Sequence, residues 1–201
     1  MKQQTLPLME HFYSLQGEGA HAGEAAYFLR LGGCDVECTW CDVKDSWDAH
    51  QHPQVEIEKM LEWIIKSGAK NCVITGGEPC MYNLDPLIKI LRKKKIFVWI
   101  ETSGTYPITG HPDWICLSPK KFKNPLDKIF TQAHELKIVV YHPSDINWAE
   151  EQAKKVSPEC LKYLQPEWSK KDKIAPLIID YIKHHPEWRL SLQIHKYISI
   201  P

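Results

Sequence analysis

The chain has 201 residues, of which 43% are hydrophobic, and its 25 basic side chains are matched by 25 acidic ones. This length favours a single domain, residues 1–201, and the hydrophobic share is sufficient for a core. Because the charge is balanced, the composition gives no electrostatic reason to expect non-specific binding to nucleic acids or membranes. No segment of the sequence approaches the roughly 18 consecutive apolar residues that a membrane-spanning helix requires.

Short apolar segments alternate with amphipathic ones along the chain. The clearest helix has apolar side chains on one face at the spacing i, i+3, i+4 and i+7; they are Ile57, Met60, Leu61 and Ile64. Ser144 is a suitable cap for a later helix, because its hydroxyl can accept from free backbone N–H groups. The sequence predicts strands at residues 26–31, 71–75, 96–100, 114–117, 136–140, 161–164 and 188–194. It predicts helices at about residues 55–66, 84–91, 144–155 and 175–184.

This alternation of strand and helix predicts a parallel sheet with right-handed crossovers. The chain is short for a complete eight-unit barrel of roughly 250 residues, so we expect a partial, open (β/α) barrel with reduced helices. Because the carboxyl ends of parallel strands share one edge, the polar motifs that follow the strands are expected to meet at one mouth. These motifs occupy residues 34–41, 76–79, 101–104, 118–120, 165–166 and 195.

Three cysteines, Cys34, Cys38 and Cys41, form a CxxxCxxC motif after the first predicted strand. A structural zinc ion normally takes four protein ligands, whereas three thiolates suit a [4Fe–4S] cluster that keeps one iron open for a small molecule. A zinc site that takes its fourth ligand from Cys72, Cys80 or a histidine is the alternative at this point. The chain has seven cysteines, an odd number, and no signal-peptide pattern. Both observations favour free thiols and a location in the cytoplasm.

The segment Gly-Gly-Glu-Pro at residues 76–79 follows the next predicted strand. Together with the cysteine motif, in this order, it resembles the radical S-adenosylmethionine enzymes. The resemblance implies a [4Fe–4S] cluster at Cys34, Cys38 and Cys41, with S-adenosylmethionine on the open iron. Glycines at residues 76–77 would let the backbone approach a ligand closely. The S-adenosylmethionine site that the resemblance implies comprises Trp40, Cys41, Asp42, Gly77, Ser118, Pro119, Lys120, Gln165, Pro166, Glu167 and Trp168.

Two further segments, LQGEG at residues 15–19 and QIHKYISIP at residues 193–201, make the resemblance narrower. They are similar to a ring-contracting branch of the family, which converts 6-carboxy-5,6,7,8-tetrahydropterin to 7-carboxy-7-deazaguanine with loss of ammonia in queuosine and 7-deazapurine biosynthesis. In this interpretation Arg30 pairs with the pterin carboxylate, which its planar guanidinium can meet in a fork. The resemblance identifies no catalytic acid or base. The substrate site that it implies comprises Leu15, Gln16, Gly17, Glu18, Arg30, Thr75, His195 and Pro201.

One position departs from the pattern of the family. The second residue after the last motif cysteine usually offers a hydroxyl to Mg²⁺, but here it is Val43, which has no side-chain oxygen. Asp42 and Ser46 are the alternative ligands, so magnesium is expected only as an optional cofactor. Glu101 and Thr102 are interpreted either as helix-capping groups or as cofactor contacts.

The resemblance also implies partners: an electron donor such as flavodoxin or ferredoxin, and a second copy of the chain in a homodimer. An alternative enzyme with the same cysteine and GGEP motifs is an activating enzyme that forms a glycyl radical on a partner protein. Such an enzyme would not need the LQGEG segment or the segment at residues 193–201. A small electron carrier and a zinc-stabilised binding module are the alternatives without catalysis.

Overall fold

The computed structural model describes residues 4–201. Within this range the chain forms one sheet of nine strands, accompanied by six α-helices. The strands are β1 (Thr5–Leu15), β2 (Ala25–Leu31), β3 (Gln54–Glu56), β4 (Asn71–Gly76), β5 (Phe97–Thr102), β6 (Trp114–Leu117), β7 (Glu135–Val140), β8 (Leu161–Pro166) and β9 (Trp188–Leu190). The helices are α1 (Ile57–Ser67), α2 (Asp85–Lys93), α3 (Asp127–Gln132), α4 (Asp145–Ala153), α5 (Lys171–His184) and α6 (Ile194–Ile198).

The sheet has the spatial order β3-β1-β2-β4-β5-β6-β7-β8-β9, with β3 and β9 at its two edges. From β2 to β9 every neighbouring pair is parallel. The first strand pairs antiparallel with both β2 and β3. This arrangement confirms the partial, open barrel, with a short antiparallel extension at one edge that the sequence did not predict.

The hydrophobic core lies between the sheet and the helices on its outer face. On α1 the buried side chains are Ile57, Met60 and Ile64, and the fourth predicted position, Leu61, is partly buried. Full burial of one such side chain contributes about 1.5–3 kcal/mol. Two core clusters divide the outer face, one under β1, β2, β4 and β5 and one under β6 to β9.

The inner face of the sheet carries a smaller cluster that includes Phe28, Val73 and Trp99. Side chains along a strand alternate between the two faces of a sheet. Arg30 comes two residues after Phe28, so it lies on the inner face at the carboxyl end of β2. Thr75 reaches the same face on β4 by the same count from Val73.

Three local predictions differ from the structure. The last predicted strand ends at Leu190 instead of residue 194, because the chain leaves the sheet and Ile194 N–H donates to Gly17 O at 2.9 Å. The hydroxyl of Ser144 does not cap α4, since it contacts His142 Nδ1 instead. The helix predicted at residues 175–184 begins earlier, at Lys171. Four elements were not predicted, namely β1, β3, α3 and α6. None of the helices in residues 4–201 has the length and apolar character needed to cross a membrane.

Candidate active site

The carboxyl ends of the parallel strands surround one cavity of about 410 Å³. Most of the residues singled out in the sequence line this cavity, as expected for motifs that share one edge of the sheet. They are Leu15, Gln16, Gly17, Glu18, Arg30, Cys34, Cys38, Trp40, Cys41, Asp42, Thr75, Gly77, Ser118, Lys120, Glu167, Trp168, His195 and Pro201.

Three other predicted residues do not line the cavity. Gln165 is 3% exposed, and its side-chain oxygen accepts from Ser191 Oγ at 2.7 Å. Pro166 is the last residue of β8 and pairs with Val140 in the sheet. Pro119 faces a neighbouring cavity of about 240 Å³. The structure therefore places these three beside the site and not in its wall.

The cysteine loop is held in shape by backbone hydrogen bonds. Cys34 N–H donates to Trp47 O at 3.0 Å, and Cys41 N–H donates to Cys38 O at 3.0 Å. All three motif cysteines are free thiols. Burial raises the pKa of the Cys38 thiol to about 11; Lys120 opposes this rise, and the two neighbouring cysteines add to it. Three mutually repelling thiolates at one loop suit a bound iron–sulfur cluster, which supplies the positive charge that they lack.

The glycines of the GGEP segment allow it to pack directly on the cysteine loop. A Cβ atom on Gly77 would lie 2.2 Å from Gly33 O and 3.0 Å from the Cβ of Cys34. Gly77 N–H donates to Leu31 O at 2.9 Å, and Glu78 N–H donates to Gly33 O at 2.8 Å. No side chain fits at this contact, so glycine is required for a structural reason as well as for any ligand contact.

Glu78 of the GGEP segment is 1% exposed and connects it to the end of β5. Its carboxylate accepts from Thr102 Oγ1 at 2.6 Å, from Ser103 N at 2.7 Å and from Cys80 N at 3.0 Å. The Ser103 hydroxyl donates to the same carboxylate. Thr102 therefore holds the side chain of Glu78 in place. This role differs from both interpretations of residues 101 and 102 in the sequence, which were helix capping and cofactor contact.

A second charged group lies in the same cavity wall. Lys137 Nζ donates to Glu18 Oε2 at 2.6 Å and to Glu101 Oε2 at 2.8 Å. Gln193 Nε2 donates to the other oxygen of Glu18 at 2.8 Å, and Gln16 Nε2 donates to the other oxygen of Glu101 at 3.2 Å. Sequence reasoning missed Lys137 and Gln193. The available signal was a lysine inside the otherwise apolar run LKIVV, which covers residues 136–140.

The segment that begins at Gln193 spans the cavity mouth. A Cβ atom on Gly17 would lie 2.2 Å from His195 Nδ1, so this glycine permits the close approach of α6. Lys196 Nζ donates to Asp42 Oδ2 at 2.5 Å, which ties α6 to the cysteine loop. Burial lowers the pKa of His195 below its ordinary value, although Glu18 opposes this. The imidazole is therefore mainly neutral at pH 7.

Arg30 and the magnesium candidates complete the site. Arg30 stands opposite Glu10 in the β1–β2 pair, and its Nε donates to Glu10 Oε1 at 2.5 Å. Ser46 is 1% exposed, and its hydroxyl donates to Val43 O at 2.6 Å. Both alternative magnesium ligands, Asp42 and Ser46, line the cavity, but only Asp42 is exposed.

The fold and the site together define a class of protein. A CxxxCxxC loop that follows a parallel strand and packs on a GGEP segment, within an open (β/α) barrel, is the arrangement of a radical S-adenosylmethionine enzyme. Residues 29–130 match the family model described as the Radical SAM superfamily. This superfamily implies a [4Fe–4S] cluster and S-adenosylmethionine as cofactors.

Comparison with known proteins narrows the class. The chain is 52% identical over 200 residues to a 7-carboxy-7-deazaguanine synthase of Flavobacterium psychrophilum, covering 100% of this chain and 95% of the relative. It is 46% identical to the enzyme of the same name from a Synechocystis species, covering 98% and 94%. The crystal structure of QueE from Escherichia coli superposes with a TM-score of 0.85 at 33% identity, covering 95% of each chain. The chain belongs to the 7-carboxy-7-deazaguanine synthase family. These comparisons do not favour the glycyl-radical activating enzyme or the zinc module.

Proposed function

We propose that the chain converts 6-carboxy-5,6,7,8-tetrahydropterin to 7-carboxy-7-deazaguanine with release of ammonia, as a step in queuosine and 7-deazapurine biosynthesis. One observation carries this proposal: a single cavity contains the three motif cysteines together with Arg30 and the charged group around Glu18. A site with thiols for a cluster and charged groups for a polar, carboxylated heterocycle suits this reaction. Family membership along the whole chain supports it, and one domain, residues 1–201, is sufficient for it.

In this proposal Cys34, Cys38 and Cys41 hold the [4Fe–4S] cluster. When bound, the cluster and S-adenosylmethionine supply one-electron chemistry that removes a hydrogen atom from the substrate. The protein positions the two molecules and keeps water out of the cavity. The residues assigned to S-adenosylmethionine are those predicted for it that line the cavity, namely Trp40, Cys41, Asp42, Gly77, Ser118, Lys120, Glu167 and Trp168. Pro119, Gln165 and Pro166 are assigned to the support of this site.

The substrate site contains Arg30 as the partner of the pterin carboxylate. Its Nε is paired with Glu10, and the guanidinium has two further nitrogens that can meet a carboxylate as a fork. Glu18 and Gln16 are assigned to the polar edge of the pterin ring. The other residues assigned to the substrate are Leu15, Gly17, Thr75, His195 and Pro201.

Magnesium is an optional cofactor in this proposal, with Asp42 as its protein ligand. Lys196 Nζ already donates to Oδ2 of Asp42 at 2.5 Å, so a cation at this carboxylate would lie beside an ammonium group. Val43 offers no side-chain oxygen, and the hydroxyl of Ser46 is already used. We therefore expect a weaker dependence on magnesium than an enzyme with a hydroxyl at position 43 would show.

Three further assignments concern location and partners. We place the chain in the cytoplasm, because all seven cysteines are free and a cysteine-bound cluster needs reducing conditions. An electron donor such as flavodoxin or ferredoxin would reduce the cluster. We also propose a homodimer. It is supported by exposed apolar side chains on β1 and α6, which are Tyr13, Leu15, Tyr197 and Ile198.

Anaerobic turnover tests the proposed function. The reconstituted protein is mixed with reductant, S-adenosylmethionine and 6-carboxy-5,6,7,8-tetrahydropterin, with and without Mg²⁺, and products are identified by mass spectrometry. Formation of 7-carboxy-7-deazaguanine is the expected result. Slow cleavage of S-adenosylmethionine with no pterin-derived product would overturn the assignment of the substrate.

A pair of variants sharpens this test. Arg30→Met removes the partner of the pterin carboxylate, and we expect KM for the pterin to rise by roughly 10- to 100-fold, the effect of losing a hydrogen bond between charged groups. Arg92→Met removes an arginine that is paired with Asp113 and does not line the cavity. This control is expected to leave KM unchanged. Equal KM values for both variants would show that Arg30 does not bind the pterin.

A further inference from the structure

One buried cation lies in the cavity wall without a role in the proposed chemistry. The side chain of Lys137 is 4% exposed, whereas those of Glu18 and Glu101 are 18% and 20% exposed. The ammonium group donates to one oxygen of each carboxylate. A ligand in the cavity therefore meets mainly the two carboxylates, with the ammonium behind them.

Each carboxylate is held at both of its oxygens. Lys137 binds one oxygen of each, and the second oxygen accepts from Gln193 in Glu18 and from Gln16 in Glu101. A carboxylate oxygen has two lone pairs, so an oxygen that already accepts from the protein can still accept from a ligand. The arrangement fixes the direction of the carboxylates before any ligand arrives, which is the condition for a preorganised site.

We propose that Lys137 is a positioning residue for the substrate: its ammonium group holds the carboxylates of Glu18 and Glu101 side by side, so that both accept hydrogen bonds from N–H groups of the pterin aminopyrimidinone ring. This inference rests on the proposed function, to which it adds a role for Lys137 beside the two carboxylates that face the substrate. Two carboxylates that share a site normally repel, so that one of them takes up a proton. A protonated carboxyl would offer a donor where the ring also offers donors, and recognition would fail.

The electrostatics agree with this geometry. Burial alone would raise the pKa of Glu18, but the charge and hydrogen bond of Lys137, with smaller effects of Gln193 and His195, lower it to about 2. Burial alone would lower the pKa of Lys137, but the carboxylates of Glu101 and Glu18 raise it well above its ordinary value. Each partner thus stabilises the charged form of the other.

Other titratable groups face this cluster from the elements around it. They are Cys116 on β6, Lys120 after β6, Glu135 on β7 and His195 on α6. Burial raises the pKa of Cys116, and it also raises that of Glu135. Since the pKa of His195 is lowered, its imidazole stays neutral above pH 7. A pH range of 7 to 9 therefore avoids the titration of the histidine.

Direct binding of the pterin tests the inference. Cluster-loaded protein without reductant, which cannot turn over, is titrated anaerobically with 6-carboxy-5,6,7,8-tetrahydropterin in a calorimeter at pH 7 and pH 9. Lys137→Met is expected to weaken binding by about tenfold or more at pH 7 and to regain part of it at pH 9, where a carboxyl group that has taken up a proton in the absence of the ammonium loses it. Lys137→Arg keeps the charge and is expected to restore pH-independent binding. Lys162→Met, a partly buried strand lysine that does not line the cavity, is the matched control.

Two results would overturn the inference. One is a folded Lys137→Met protein that binds like the wild type; the other is an equal loss of binding at pH 7 and pH 9, which would show a merely structural role. If Lys137→Met does not fold, Lys137→Gln, which keeps both carboxylates and a neutral hydrogen-bond donor, is compared with Lys137→Arg. Binding should then depend on pH in Lys137→Gln alone, and identical pH profiles would contradict the inference. A wild-type protein that fails to bind the pterin would instead count against the proposed function.

Discussion

The cavity wall has two parts that are constructed differently. The cysteine part is the loop at residues 34–41 with the GGEP segment, and the carboxylate part is Glu18 and Glu101 with Lys137 between them. The cysteine part is held by the backbone of segments that lie close together in the fold, as when Glu78 N–H donates to Gly33 O at 2.8 Å. The carboxylate part is held by side chains that are far apart in the sequence, since 175 positions separate Glu18 from Gln193. Backbone hydrogen bonds survive most substitutions, whereas a side-chain network fails when one member is replaced.

This difference separates two functions within one site. The cysteine part requires glycine at close contacts and thiols at fixed spacing, so changes there should affect the cluster. Changes in the carboxylate part should affect the affinity for the substrate and the stability of the fold but leave the cluster in place, because this part does not belong to the cysteine loop. The parts meet at Asp42, which accepts from Lys196 at 2.5 Å and from Gln193 at 3.4 Å.

The largest expected effect is the loss of the cluster in Cys38→Ala. Removing one of three thiolates leaves too few ligands, so iron and sulfide should fall to background after reconstitution and turnover should disappear. Metal analysis and the visible absorption spectrum measure this. Cys160→Ala, at a buried thiol outside the cavity, is the control and should retain its iron. A brown, active Cys38→Ala protein would refute the assignment of the cysteine part.

The next effect concerns stability in acid and tests the carboxylate part. The pKa of Glu18 is lowered from 4.5 to about 2, so its ion pair stabilises the fold fully above pH 4.5 and this contribution disappears as the pH falls towards 2. The contribution at neutral pH is up to roughly 3 kcal/mol. Urea unfolding at pH 5 and pH 3 should therefore show a smaller change for Glu18→Gln than for the wild type. Glu62→Gln, in the exposed pair with Lys59, should behave like the wild type.

An identical acid response of Glu18→Gln and the wild type would show that the Lys137 ion pair does not stabilise the fold. In that case the carboxylate part would make no measurable contribution to the free energy of unfolding, and only the contacts of the cysteine part would remain as a source of stability. A stronger acid response of Glu18→Gln would reverse the sign of the expected effect and would contradict the lowered pKa.

A smaller effect is expected when the backbone contact of the cysteine part is disturbed. In Gly77→Ala the new Cβ atom would lie 2.2 Å from Gly33 O, so one segment has to shift. Overpacking of this kind costs about 1–3 kcal/mol of unfolding free energy. Urea unfolding and iron retention measure the change. Gly23→Ala meets no atom within 4 Å and should keep its iron, even though its positive φ also causes strain. Equal iron loss in both variants would remove the special role of this contact.

The sequence predicted the cysteine part much better than the carboxylate part, for a physical reason. The thiols and the glycines each lie within one short segment of the sequence, so the CxxxCxxC and GGEP motifs can be recognised without knowledge of the fold. Lys137 becomes meaningful only when β7 stands near β5 and near the segment that contains Glu18. A lysine in an apolar strand is a sign of such pairing, because a buried charge needs a partner.

The fold shows the same division between local and distant causes. The apolar runs of the parallel strands are buried on both faces and were predicted. The first strand, β1, mixes buried and exposed residues and carries its irregularity near Leu8, so its pattern is weak. The end of β9 is set by the contact of Ile194 with Gly17, which no local pattern contains.

The smallest expected effect is at Val43, where the cysteine part lacks a hydroxyl. Val43→Thr has almost the same shape and adds one oxygen that a hard cation can use. We expect the ratio of turnover with and without Mg²⁺ to increase by roughly two- to tenfold, since a single weak ligand contributes on the order of 1 kcal/mol. Val36→Thr, at a buried valine in the same loop, is the control for a change of valine to threonine. A Val43→Thr protein with an unchanged ratio would mean that magnesium, where it acts, is held by Asp42 and the substrate alone, and that the departure at position 43 has no consequence for the cation.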